Sequence, residues 1–115
     1  MTAALKTMII PVSDITRATS FYAQLLGVQP FVNEPYYVAF QAGELHLGLN
    51  PNGAKQGMTA PLAYWHVDDI RASLQTLVDA GATPQQSITD VGGGRLIASL
   101  KDADGNMLGL LQPEP

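Results

Sequence analysis

The side chains able to do polar chemistry in this chain are few. There are two histidines, His46 and His66, and no cysteine. Thiol nucleophiles, thiolate zinc sites and disulfide frameworks are therefore excluded. His46 stands in ELHLGLN, two residues after Glu44, and His66 closes LAYWH. A metal site built on these two imidazoles, with or without Glu44, is the less favoured reading, because a catalytic ion takes about three or four protein donors in fixed geometry. No carboxylate or hydroxyl stands at a spacing that marks it as the partner of a general base. The other chemistry-bearing groups are aromatic. Tyr36, Tyr37, Tyr64 and Trp65 all fall in strand-like segments.

Two further motifs carry less than they suggest. Gly92-Gly93-Gly94 lacks the Lys-Ser/Thr of a phosphate loop and does not open a helix. It reads as a mobile rim or lid between strands. Asp102-Ala103-Asp104-Gly105-Asn106 has the look of a calcium loop but lacks the later glutamate, so it reads as a hairpin turn.

The elements that must position these groups repeat. MIIPV is a short apolar strand, with Met8, Ile10 and Val12 toward a core. Ser13 or Asp14 caps a helix whose apolar positions are Ile15, Ala18, Phe21, Tyr22, Leu25 and Leu26, and Gly27 ends it. A weak strand follows near Val28–Val32, with a turn at Asn33-Glu34-Pro35. A hairpin then turns at Ala42-Gly43. In its second strand Leu45, Leu47 and Leu49 alternate with Glu44, His46, Gly48 and Asn50. The second half runs the same way. Asp68 or Asp69 caps a helix with a stripe of Ile70, Leu74, Leu77 and Val78, and a closing hairpin ends in NMLGLLQ. The pattern is two strand–helix–strand–strand–strand units: module 1 about 1–52, a linker over 53–60 and module 2 about 61–115.

Bulk composition narrows the classes. A chain of 115 residues with 46% hydrophobic residues suits one compact domain or two halves sharing a core. Net charge is −4, from six basic and ten acidic residues with no basic run, which argues against nucleic-acid binding. The N-terminal stretch lacks the form of a signal peptide, and no apolar run reaches bilayer length. The expectation is a cytoplasmic protein with no membrane partner.

VSDITRATSFYAQLLGV resembles the first-module signature of the vicinal-oxygen-chelate superfamily, which includes glyoxalase I, extradiol dioxygenases, fosfomycin-modifying enzymes and bleomycin-binding resistance proteins. KDADGNMLGLLQ resembles its closing signature. The resemblance covers essentially the whole chain. It implies an α+β fold in which two βαβββ modules form a curled mixed-sheet cup, helices on the convex face, and a homodimer. In metal-dependent members the ion is held from each module by a His or Gln at the start of the first strand and a Glu in the last. Those positions correspond here to Thr7 and Gly48, and to Leu62 and Gly109. None can act as a donor of that kind, so the expectation is no metal and no cofactor.

Strand alternation then predicts a ligand-lining set. From the first module it takes Thr7, Tyr37, His46, Gly48 and Asn50. From the second it takes Tyr64, His66, Met107, Gly109 and Leu111. Tyr37 is preferred to Tyr36 because Val38 and Phe40 read as the core-facing pair. Trp65 is expected in the core and Tyr64 toward the ligand, so Trp65→Ala rather than Tyr64→Ala should destabilise. The two strand glycines are expected to widen the floor of the cup, although a glycine can equally mark close packing. The resulting function is a small-molecule-binding protein of the glyoxalase/bleomycin-resistance type. It would sequester an antibiotic or other natural product, aromatic or cationic, without catalysis. The alternatives are a lyase or isomerase with a rebuilt site, and a structural or regulatory protein with a closed core.

Overall fold

The computed structural model describes residues 3–114. The described residues form two compact units, one of Lys6–Leu62 and one of residues 63–114, with which residues 3–5 also group. Each unit carries a βαβββ module, so the chain is of the α+β class.

The N-terminal module consists of β1 (Ala4–Pro11), α1 (Ile15–Leu26), β2 (Val32–Glu34), β3 (Tyr37–Ala42) and β4 (Leu45–Asn50). Its strands lie in the order β2-β3-β4-β1, with β1 parallel to β4 and the other pairs antiparallel. Asp14 is the N-cap of α1, its carboxylate accepting the Arg17 N–H at 3.0 Å. Gly27 ends the helix at φ 71°, in the left-handed region that favours glycine, and donates its N–H to the Ala23 carbonyl. Ile15, Ala18, Tyr22 and Leu26 pack with Met8, Ile10 and Val12 onto Val38, Phe40, Leu47 and Leu49.

The expected helix stripe is too wide. Phe21 and Leu25 are 63% and 67% exposed. At about 100° per residue they lie off the line through positions 15, 18, 22 and 26, so the sheet below does not reach them. The weak strand also falls later than expected: β2 takes in Asn33 and Glu34, and the turn follows at Pro35-Tyr36.

The C-terminal module follows a short 3-10 turn at Ala54–Gln56. It consists of β5 (Leu62–His66), α2 (Ile70–Asp79), β6 (Thr83–Asp90), β7 (Leu96–Lys101) and β8 (Met107–Gln112), its strands in the order β5-β8-β7-β6. Asp69 caps α2 by accepting the Ala72 N–H at 3.1 Å. The Ile70 N–H is donated to Gln112 Oε1 at 2.9 Å, which ties the start of the helix to the last strand. Ile70, Leu74, Leu77 and Val78 pack as expected, against Ala98, Leu100 and Leu110.

Trp65 overturns its expectation. Its strand partner Leu110 is in the core, yet the indole is 36% exposed. The helix α2 packs over β6, β7 and β8, and β5 lies at the other end of its module's strand order. A side chain on the helix side of β5 is therefore left without that cover.

The three consecutive glycines form a tight turn in which Arg95 N–H meets the Gly92 carbonyl at 3.0 Å and all three adopt positive φ. The 102–106 segment is the hairpin turn expected of it. The Asp102 carboxylate accepts the N–H groups of Asp104 and Asn106, both at 2.9 Å.

Candidate functional site

In the N-terminal module the face opposite α1 carries the polar groups. The parallel register of β1 and β4 sets Thr7 beside His46 and Ile9 beside Gly48. The antiparallel register of β3 and β4 sets Ala39 beside Gly48 and Gln41 beside His46. Alternation then puts Tyr37 on the same face as His46 and Gly48, while Val38 and Phe40 go to the helix side. The Tyr37 ring leans along β4 and lies over Gly48. A Cβ on Gly48 would lie 2.7 Å from Tyr37 Cζ and 2.7 Å from Ile9 Cδ1, and closer still to the phenolic oxygen. The phenol ends in a hydrogen bond with His46 Nε2, at 2.7 Å. Phe31 sets its ring edge-on to the His46 imidazole, with centroids 5.3 Å apart. The backbone of Phe31 is fixed by donation of its N–H to the Ala39 carbonyl at 2.9 Å.

The other N-terminal members of the predicted set play different parts. Thr7 is buried beside His46. Asn50 commits its side chain to the loop that follows. Its Nδ2 donates to Gln56 Oε1 and its Oδ1 accepts the Asn52 N–H, both at 2.9 Å.

The C-terminal module solves the same position from another strand. Tyr64 on β5 pairs directly with Gly109 on β8, and His66 with Leu111. A Cβ on Gly109 would lie 2.5 Å from Tyr64 Cδ1 and 2.9 Å from Cγ. Tyr64 is only 8% exposed, and its burial pushes the phenol pKa up, because the ionised form loses its hydration. Leu111 is buried, His66 is half-buried and Met107 is exposed.

These contacts change the meaning of the two glycines. They do not widen a floor; each makes room for a tyrosine ring. Of the two readings a strand glycine allows, close packing is the one found in both modules.

The family-type metal fails the same test. Within the N-terminal module the two donor positions are a buried threonine and a glycine under a phenol ring. Within the C-terminal module they are a buried leucine and a glycine under a second ring. Among the described residues no three of His, Asp and Glu gather closely enough to hold an ion. The residues present do not fit the metal.

Two features of this face escaped the sequence. Phe31 falls in the weak strand expected near Val28–Val32, to which the sequence assigned no face and no part in the site. The Tyr37–His46 hydrogen bond joins residues that are not cross-strand neighbours. The available signal was the glycine between them in register, because an aromatic ring can span a diagonal on an antiparallel pair when the intervening position has no side chain.

The architecture defines a class, that of paired βαβββ modules with one helix laid on each four-stranded sheet. The chain belongs to the Glyoxalase/Bleomycin resistance protein/Dioxygenase superfamily, whose model matches residues 4–110. Solved structures share the fold at low identity. A protein described as an NAD-dependent benzaldehyde dehydrogenase from Legionella pneumophila is 18% identical with a TM-score of 0.78, covering 94% of this chain and 98% of its own. A glyoxalase/bleomycin resistance protein/dioxygenase superfamily member from Vibrio splendidus is 15% identical with a TM-score of 0.72, covering 97% and 100%. Methylmalonyl-CoA epimerase from Mycobacterium tuberculosis is 18% identical with a TM-score of 0.67, covering 96% and 88%. Among curated protein sequences none matches. No helix among the described residues is long and apolar enough to cross a membrane.

Proposed function

We propose that this protein binds a small molecule without a metal, in the manner of the bleomycin-resistance branch of its superfamily, and sequesters an antibiotic or other natural product. One observation carries the reading. In each module the place of the family's last-strand carboxylate is a glycine closed over by a tyrosine. What the polar face of the N-terminal module offers instead is aromatic surface and imidazole, from Phe31, Tyr37 and His46. Rings of this kind hold flat or cationic ligands by stacking and by cation–π attraction, with the imidazole setting orientation. The acidic net charge favours a cationic ligand. The same reading takes the protein to be a cytoplasmic homodimer, checked by light scattering of the purified chain and by fractionation of its host.

The test is a melting screen of the purified protein against bleomycin-type glycopeptides and other flat, cationic natural products. A binder raises Tm with concentration, and His46→Ala and Tyr37→Phe lower the gain. Metal at one equivalent per chain, with turnover that depends on it, would overturn the reading.

A second reading draws on the 2.7 Å Tyr37–His46 hydrogen bond. A phenol on an imidazole is a proton-transfer pair, which suits a metal-free isomerase or lyase. Solvent deuterium entering a carbonyl substrate, and failing to enter with His46→Gln, would favour catalysis over storage.

A further inference from the structure

The two helices present different outer surfaces. The outer positions of α2 are Arg71, Gln75, Thr76 and Asp79, and none of its large apolar side chains is exposed. That is the ordinary form of a helix laid on a sheet. On α1 the flank that carries Thr16, Ser20 and Gln24 is likewise polar. Its other flank is a row of Arg17, Phe21 and Leu25, one turn apart, and Val28 stands just past the Gly27 cap. Phe21, Leu25 and Val28 are all exposed. Arg17 is the only charged residue of the helix.

This row has the chemistry of a contact between two copies of the chain. A two-fold contact needs a surface complementary to itself, and an uncharged apolar centre meets that condition. Laid antiparallel about an axis between Phe21 and Leu25, each phenyl ring meets Leu25 of the second copy. The ends are complementary in charge. Gly27 donates its N–H to the Ala23 carbonyl, but no backbone N–H among the described residues is donated to the Gln24, Leu25 or Leu26 carbonyl. This end of the helix is the negative pole of its dipole. The antiparallel arrangement brings the Arg17 guanidinium of each copy to that end of the other. The two Arg17 Cα atoms stay about 18 Å apart along the axis, beyond the screening length of physiological salt. A lipid surface is a poorer match. Helices that lie on membranes flank their apolar stripe with several Lys and Arg. This one has a single arginine, in a chain of net charge −4.

We propose that the Phe21–Leu25 flank of α1 packs antiparallel on the same flank of a second copy. The proposal gives the homodimer of the functional reading its contact surface; it rests on that association and not on the ligand. One apolar row on one helix falls short of the roughly 800 Å2 that each partner of a stable complex buries. The dimer is therefore weak and concentration-dependent.

The experiment is sedimentation velocity of the full-length protein over a concentration series, followed by cross-linking. The wild-type chain should pass from monomer to dimer as concentration rises. The double variant Phe21→Ser, Leu25→Ser should stay monomeric throughout with its Tm unchanged, because both side chains are exposed. Arg17→Gln should weaken the dimer about three- to thirtyfold, since two helix-end contacts are lost at once. The chain has no cysteine, so a single introduced thiol reports the register. A short bismaleimide should join two chains through Leu25→Cys, near the axis, and not through Arg17→Cys, at the far ends. A dimer that survives the double serine variant would overturn this surface and leave the homodimer standing. A wild-type chain that is monomeric throughout would overturn both. Cross-linking through Arg17→Cys would make the pair parallel and overturn the proposal.

Discussion

The two modules close the same gap by different routes, and the difference separates a packing device from a functional one. In the C-terminal module Tyr64 stands directly opposite Gly109 in register and is buried with its ring over the glycine. In the N-terminal module Tyr37 comes from the far side of β4, crosses Gly48 diagonally and stays half-buried, with its hydroxyl on His46. The direct pair uses its tyrosine as core. The diagonal pair keeps a polar end at the surface and couples it to an imidazole. A repeated fold with glycine at the same place in both copies can thus carry structure in one module and a candidate site in the other.

The largest effect that separates the two is loss of the ring. Tyr64→Ala should cost about 3–5 kcal/mol, the usual range for a buried aromatic. Trp65→Ala, starting from an indole that is 36% exposed, should cost under about 2 kcal/mol. Urea unfolding of the two variants checks the order, which is the reverse of what strand alternation suggests. Equal losses would place Trp65 in the core after all.

A subtler comparison adds a methyl group to each glycine. Gly109→Ala meets the rigid base of the Tyr64 ring and should cost about 1–3 kcal/mol. Gly48→Ala meets the far ends of Tyr37 and Ile9, which can swing aside, and should cost about 1 kcal/mol or less. The same variant should also break the Tyr37–His46 contact, visible as a change in the His46 imidazole signals by NMR. A Gly48→Ala protein with those signals unchanged would show that the ring is not seated on the glycine.

The Tyr64 phenol should also show in alkali. Burial holds the folded pKa of Tyr64 above its unfolded value of about 10. Its contribution to stability is therefore whole below about pH 10 and is lost as the pH rises through the folded value. Tyr64→Phe should flatten the alkaline limb of a stability–pH curve. A limb unchanged by that substitution would remove Tyr64 as its source.

The smallest effect lies at the 102–106 turn, away from both pairs. The Asn106 N–H donated to the carboxylate, aided by the Asn106 side chain and by Asp104, holds the Asp102 pKa below the ordinary value. This contribution is present above about pH 4 and is lost as the pH falls through the depressed folded value. Asp102→Asn should reduce the acid sensitivity of the closing hairpin, measured by amide exchange at Asp104 and Asn106.

Much of the fold was legible because it rests on local periodicity. The helix caps, the α2 stripe and the alternation of β4 all follow from spacing that a single segment carries. The exposure of Phe21 and Leu25 was not legible, because stripe width depends on how far the sheet beneath extends. The exposure of Trp65 was not legible either, because it depends on which strands α2 covers.

The candidate site divides in the same way. That Thr7, Gly48, Leu62 and Gly109 cannot serve as the family's metal donors follows from the chemistry of those residues, so the sequence alone determined it. That each glycine lies under a tyrosine, and that Tyr37 reaches His46, was decided only by tertiary structure. Those contacts run between strands, and their register and diagonal reach are set by the packed sheet rather than by any one segment.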